Sequence, residues 1–574
     1  MTKHGEATAA ARVWGGKTDG FEARLSRIKA AVAHRVRVLE APFPAVTLVF
    51  SVSDGTARAA VVQGSGDSFE AAWDRLVDAL RKVMARRKLR GCLLRLDWVE
   101  QAEPLTWARL RKRLGEVKRN YCRRGIALDA DLKHFFLEQE LNANAMLYGG
   151  NKISHCVVNE KNFLLYAQQK YGSGMKVDFS DTRSVLMLDC AGVFCAEDGE
   201  IVELCTAGRD AGRRRIEPLS VDVLGGVIRD ASDFLAQQVG KDGRFVYGYH
   251  PCFDREIPAY NALRHASTTF SMLEAWALTR QAKLLSAIER WLEYFCAHFV
   301  QTVNEDMAFV VDTGNEIKLG ANATAILAMA KYQDLLGNDR YAGVMDKLAQ
   351  GILYMQGAEG SFTHVLNYPE LSVKEEFRIV YYEGEAAFAL MRLYSLTKDE
   401  RWIVAVEKAF AHFIEKDYWQ HHDHWLSYCT NELTRYRPEE RYFRFGIRNF
   451  EGYLDFVLQR ITTFPTLLEL MMAGRNMLDR LGTMSDGAEL LASVDEEKFD
   501  RALHFRAAYL LNGHFWPEIA MYFRNPLRIQ GSFFIRHHAF RVRIDDVEHY
   551  LSGLIAYSLY LGRASTLAGP DSPD

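Results

Sequence analysis

"YYEGEAAFALMRLYSLTKDERWIVAVEKAFAHFIEKD", residues 381–417, decides the fold. Apolar residues recur at helical spacing on both sides of the break "LTKDERW", so the stretch predicts two amphipathic helices joined by a short turn. Two carboxyls, Glu383 and Glu385, stand where the first helix begins. Unpaired N–H groups and the positive end of the helix dipole stabilise them there whatever their purpose. Being two residues apart, they do not share a helix face, so only one can point into a cavity in front of the helix. Tyr381 and Tyr382, just upstream, add aromatic faces suited to stacking on sugar rings and phenols able to exchange protons.

The two-helix unit recurs. "NALRHASTTFSMLEAWALT" is followed by "LLSAIERWLEYFCAHFV", and "ANATAILAMAKYQDLLG" by "DRYAGVMDKLAQGILYMQG". The breaks "LTRQAKL", "LGNDRY" and "LTKDERW" fall about sixty residues apart, a period that marks a helical array. "FPTLLELMMAGRNMLDRLG" with "DEEKFDRALHFRAAYLLNG" continues it, and "DDVEHYLSGLIAYSLYLG" ends it as a helix. A sixth pair is read from "WLSYCTNELTRY" and "FEGYLDFVLQR". Links with β-like alternation, such as "AFVVDTGNEIKLG", carry the chain from each second helix to the next first helix. In a closed ring all of them reach the same end.

Before residue 241 the pattern differs. "AVTLVFSV", "ARAAVVQ" and "GCLLRLDWVE" read as strands, and "SFEAAWDRLVDALRKVMARR" as a Ser-capped helix. "RSVLMLDCAGVFCAEDGEIVELC" reads as a hairpin turning through Glu197 to Glu200, and "SVDVLGGVIRDASDFLAQQV" as the helix that closes this half. The expected fold class is therefore α+β multidomain: an N-terminal α/β region over 13–240, in one or two small lobes, and a helical-hairpin toroid over 241–562. Residues 1–12 and 563–574 read as disordered. The glycine pairs Gly149-Gly150 and Gly172/Gly174 lack a nucleotide-binding frame, and no cofactor is expected.

Composition narrows the class. Of 574 residues, 48% are hydrophobic and only 13 are prolines, as in a chain folded throughout. The start lacks the apolar core of a secretory signal, and no run of 18 uncharged apolar residues exists to span a membrane. Nine scattered cysteines without a CxxC pair point to reduced thiols and a cytoplasmic protein. The net charge of −3 hides 15 Lys or Arg against four acids between Arg81 and Arg124. That segment is a solvated helical face or a docking surface for an anionic polymer or protein partner. Few aromatics interleave with it, which argues against nucleic acid.

The hairpin period, with "DGRFVYGYHP…YNALRHAST", "GANATAILAMAKY" and "YYEGEAAFALMRLY", resembles the (α/α) toroid superfamily: the six-hairpin glycosidases and their relatives among sugar epimerases and polysaccharide lyases. The resemblance implies an (α/α)6 ring over about 241–562, with the substrate cleft at the inner-helix starts and their preceding loops. It implies a place for the site and no complete catalytic motif.

The candidates follow from that place. Catalytic candidates are Glu383, Glu385, Tyr382, Asp312, Asp546 and His549, the last two sharing a face at i,i+3. Substrate-binding candidates are Tyr260, Arg264, His265, Asn322, Arg378, Tyr381 and Arg543. Arg264-His265, one turn into an apolar helix, needs a polar cavity or an ion pair, with Asp254 or Glu256 as the expected structural partner. "QHHDHW" (420–425) is read as a surface loop rather than a metal site, since no helical ligand spacing accompanies it. The five arginines of "RYRPEERYFRFGIRNFEG" suit a carboxylated or phosphorylated ligand or an internal ion-pair net. Two functions are in play: a saccharide-active enzyme working by carboxylate-assisted hydrolysis or by proton abstraction, on an anionic sugar, or a non-catalytic toroid that binds an anionic polymer or a polysaccharide-synthesis partner.

Overall fold

Alternation along "VTLVFSVS" sorts the first strand into two faces, yet every residue of it is buried. Leu48, Phe50 and Val52 meet Trp73, Leu76 and Leu80 of the helix Phe69–Arg87. Val49 belongs to the core of the C-terminal half, and Ser51 accepts a hydrogen bond from Tyr522 at 2.7 Å. The toroid thus covers the second face of this sheet, which is why an antiparallel strand reads as a continuous apolar run. This computed structural model describes residues 20–485 and 487–568.

The sheet is a single one. β1 (Val46–Ser53), β2 (Ala60–Gly66), β3 (Leu93–Thr106), β4 (Gly125–Ala127), β5 (Phe135–Phe136), β6 (Ser184–Cys195) and β7 (Ile201–Glu203) run in the order β2-β1-β3-β6-β4-β5, with β7 beside β6. All pairings are antiparallel, and the expected hairpin joins β6 to β7. A further apolar cluster around Trp107, Phe136 and Phe163 packs at the β4–β5 end. Two helical cores on one sheet are what the sequence shows as two lobes.

Twelve helices build the ring of the C-terminal half, with shorter helical turns between some of them: α1 (Val221–Gln238), α2 (Ala262–Thr279), α3 (Ala282–His298), α4 (Leu319–Leu336), α5 (Ala342–Tyr354), α6 (Tyr381–Thr397), α7 (Glu400–Glu415), α8 (His424–Leu433), α9 (Glu440–Glu451), α10 (Thr466–Leu481), α11 (Glu496–Leu510) and α12 (Ile544–Ala568). The even-numbered helices pack side by side in sequence, and α12 returns to α2 and closes the ring. Each carries an odd-numbered helix outside it. The structure is an (α/α)6 toroid. Nearly every side chain in the first turns of α4 and α6 is buried, because inner helices are covered all round.

Three sequence readings change. Helix α1, assigned to the N-terminal region, packs on α2, α3 and α12, so the sixth hairpin is assembled from the two ends of the toroid sequence. The outer partner of α8 is Glu440–Glu451 rather than "FEGYLDFVLQR". Its arginines lie on the outer surface, Arg441 paired with Glu439 and Arg444 with Glu440, as in the ion-pair alternative. The last helix runs past Gly562 to Ala568, while the expected disordered residues 1–12 and 569–574 lie outside the described residues.

The basic segment is neutralised in part. Arg81 pairs with Glu22, Arg113 and Arg124 with Glu103, and Arg111 with Asp181 and Glu160. No described helix is long and apolar enough to cross a membrane.

Candidate active site

The starts of α2, α6, α8 and α12, with the loop 535–543, enclose a cavity of about 540 Å³. Glu385, Tyr381, Tyr382 and Arg378 line it from the α6 side, and Arg264, Arg543, Asp546 and His549 from the α2–α12 side. The other candidates do not reach it.

Each of those serves the fold instead. Glu383, 1% exposed, turns away toward His364. The Nδ1 of His364 accepts the backbone N–H groups of Arg378 (2.9 Å) and Ile379 (3.2 Å), so its Nε2–H faces Glu383 Oε1 at 3.4 Å. Asp312 accepts from Lys318 (2.8 Å) and from the Ala262 N–H at the start of α2 (3.3 Å). Asn322 bridges the Val310 N–H and the Lys318 carbonyl. His265 bonds the Asn261 carbonyl and stacks on Tyr260 at 3.9 Å between ring centres; burial holds it down to about 4. Tyr260 in turn stacks on Phe299.

On the floor, polar groups are crowded where burial penalises charge. Burial, with the Asp423 and Glu548 carboxyls nearby, holds Glu385 well above the usual carboxylic range. Its Oε2 is buried without a hydrogen-bond partner. Burial also pushes Glu548 up to about 8, against the opposing pull of His549 and of the Ser267 and Thr268 hydroxyls, which donate to it at 2.7 and 2.8 Å. Burial opposes the His549 imidazolium, but Glu469 and Glu548 outweigh it and raise the ring to about 10. His549 Nδ1 lies 2.9 Å from Glu469 Oε2, and its Nε2 lies 3.7 Å from Glu548. The upward shift of His549 favours the protonated ring, the form that donates. Tyr382, raised to about 12 by burial, likewise keeps its proton.

The expected Asp546–His549 pair is not made. Asp546 receives Arg543 on both oxygens (3.0 and 2.8 Å) and Arg541 at 3.2 Å; burial pushes it up, but the two guanidinium groups prevail and hold it below the ordinary range. Asp545 pairs with Arg264 (3.3 Å) and Arg543 (3.1 Å). Arg264 thus meets Asp545 and Tyr247, while Asp254, its expected partner, binds Arg528. Arg378 is held by Glu375 and Glu316.

The structure adds His424, Glu469 and Glu548, which the sequence reading leaves out. "QHHDHW" is no loose loop: Asp423 caps α8 by accepting from the N–H groups of Trp425 and Leu426, and His424 opens the helix, buried. Its Nδ1 lies 3.3 Å from Asp423, and its buried Nε2 has no hydrogen-bond partner, 4.0 Å from Glu469. The rings of His424 and His549 meet at 5.1 Å. Ligand atoms of His424, Glu469 and His549 lie within 4.8 Å of one another, a two-histidine, one-carboxylate set that can also hold a small divalent cation. The sequence does carry a signal for Glu469: it is a lone carboxyl in the first turn of the apolar run "TLLELMMAG".

Two outcomes follow from this floor. Glu548 and His549 keep protons that the unfolded chain has already released, so the stability they supply is full at low pH and is lost as pH rises through about 8 and about 10. Both act between pH 6.5 and 8, where stability should fall by up to about 1.4 kcal/mol per pH unit for each. Urea melts across that range should show a shallower fall in Glu548→Gln; parallel curves would contradict the assignment. A Cβ at Gly320 of α4 would collide with Glu385 Oε2 and crowd Leu263 and Tyr382. Gly320→Ala should therefore forfeit the roughly 1 kcal/mol that alanine normally gains in a helix. Displacement of Glu385 should also cost roughly 10²-fold in turnover.

No protein-family profile matches the chain, and no curated protein does. Solved structures similar to it include a cellobiose 2-epimerase from Bacillus thermoamylovorans B4167, 10% identical over 59% of this chain and 100% of that one, with a TM-score of 0.46. A D-mannose isomerase is 11% identical over 60% of this chain and 100% of that one, also at 0.46. An α-1,6-mannanase from Salegentibacter sp. HEL1_6 is 12% identical over 59% and 99%, at 0.43. Scores of this size leave the chemistry to be read from this chain's own residues.

Proposed function

We propose that the cavity is the active site of a saccharide-converting enzyme that moves protons at a sugar carbon, as an epimerase or isomerase does. The observation that carries this reading is the state of its carboxyls. Hydrolysis needs an ionised carboxylate free to attack the sugar or to activate water. Here the carboxyl held below the ordinary range, Asp546, has both oxygens occupied by arginine, and Glu385, Glu548 and Asp545 are all pushed up. What remains is a stock of proton donors, Glu385, Glu548 and His549, and beside them on the floor a buried imidazole nitrogen without a hydrogen-bond partner.

That nitrogen is His424 Nε2. With Nδ1 turned to Asp423, Nε2 is the atom that can take a proton from carbon, and the protonated His549 beside it can return one. Glu385 donates to the oxygen on which charge develops, which a neutral acid in a buried site does well. Tyr381 and Trp425 supply flat apolar faces for the ring.

Proton NMR in D2O with a panel of neutral, phosphorylated and uronic sugars tests the proposal. Loss of a carbon-bound proton signal, with a second sugar appearing, is the expected result. New reducing ends without exchange would mean hydrolysis and overturn it.

A further inference from the structure

Proton transfer on the floor leaves one part of the wall unexplained. Lys118 and Arg119 belong to the basic segment and pair with no carboxyl among the described residues. Arg119 is spent on carbonyls: Gly150 at 3.0 Å, Ile153 at 2.9 Å, Asn151, and His537 of the cavity loop. Asn120 and Arg536 bond each other's carbonyls, at 2.8 and 2.6 Å, which fastens this turn of the N-terminal region to the loop that carries His537, His538 and Arg541 into the cavity.

Arg460 approaches from the toroid. Its Nε donates to Thr462, its guanidinium lies over the ring of Phe464, which lines the cavity, and it too has no carboxyl partner among the described residues. Arg541 has only Asp546, shared with Arg543, and its buried Nε is unpartnered, as is His537 Nδ1. Burial and the surrounding cations hold His537 down to about 3 and His538 to about 4. Half-buried cations such as Lys118 and Arg460, with no carboxylate paired to them among the described residues, are costly unless something answers them.

We propose that this end of the cavity is an anion subsite, in which Arg541, with Lys118 and Arg460 gathered around the neighbouring His537, receives a phosphoryl or carboxylate group carried by the saccharide. The inference rests on the reading of the cavity as a sugar site. It also explains what the N-terminal region contributes, since that region braces the cavity loop from outside the ring. The sugar ring then lies toward Glu385 and His549, and the oxyanion sits at the domain junction, where guanidinium and ammonium groups provide charge-assisted donors.

Calorimetric titration of the full chain with inorganic phosphate tests the subsite without a known substrate, and the Lys118→Ala/Arg460→Ala double variant leaves every cavity-lining residue in place. Saturable phosphate binding that weakens roughly tenfold or more in the double variant, and with added salt, is expected. Competition by glucose 6-phosphate or by glucuronate, with glucose as the neutral control, identifies which oxyanion source fits. No saturable binding, or equal binding in the double variant, would overturn the subsite. Proton exchange on a neutral sugar by a protein that fails to bind phosphate would remove the subsite and leave the proton-transfer reading standing. Phosphate binding retained in a Glu385→Gln protein that has lost exchange would support both.

Discussion

Glu385→Gln is expected to keep the ring folded and to lose roughly 10²–10⁴-fold in kcat, the contribution of a positioned general acid. Burial and the Asp423 and Glu548 carboxyls push this group well above the usual carboxylic range, toward the uncharged form that the amide imitates, so packing against Gly320 and the neighbouring carboxyls is preserved. The sign of the stability change follows from the same shift. Wild-type Glu385 holds a proton that the unfolded chain gives up above the ordinary glutamate value, so its contribution drains away as pH rises. Glutamine cannot ionise, and the variant should be the more stable protein at pH 8 while being the less active one at every pH. Urea melts and turnover measured together check this. A variant that loses stability in step with activity would show that Glu385 is ionised and structurally paired instead.

The second large effect is on stability. Arg543 is the cation that Asp545 and Asp546 share, at 3.1 and 2.8 Å, and all three are mostly buried. Arg543→Ala leaves two adjacent buried carboxyls with only Arg264 and Arg541 beside them, and should cost about 3–5 kcal/mol in equilibrium unfolding. Adding Asp546→Asn should recover part of the loss, because the stranded charge is what costs, rather than the missing contact. Arg543→Lys should not restore wild-type stability, since an ammonium group cannot occupy both oxygens of Asp546.

Much of the ring is legible in sequence because a helical hairpin is a local object. The runs beginning at Asn261, Ala321 and Tyr381 show their period and their breaks within about forty residues of chain each. The closing hairpin is not legible in that way. Val221–Gln238 and Ile544–Ala568 stand at opposite ends of the toroid sequence, and only the ring brings them together. The buried second face of the N-terminal sheet is hidden for a related reason: what covers it arrives from residues near Tyr522.

At the site, polar residues in the first turn of an apolar helix are a sound signal of place and a poor signal of role. Glu385, Arg264 and Arg543 face the cavity, whereas Glu383, Asp312, His265 and Asn322 carry the same signature because helix starts and links must satisfy their own backbone groups. Which of two neighbours turns inward depends on helix phase about the ring axis, which sequence does not reveal. His424 is hard to single out because a run of histidines after "KDYWQ" resembles a loop. Its burial comes from the turn that Asp423 caps.

The central claim is that the cavity floor stores protons on carboxyl groups at neutral pH, and carboxyl ¹³C NMR of protein labelled at the glutamate Cδ tests it most directly, without a substrate. Two glutamate resonances from the cavity floor are expected in the protonated position at neutral pH. One, absent from Glu385→Gln, should stay protonated well above the ordinary range, and the other, absent from Glu548→Gln, should titrate near 8. Ordinary acidic titration of every glutamate would contradict it and return the cavity to a hydrolytic or non-catalytic reading.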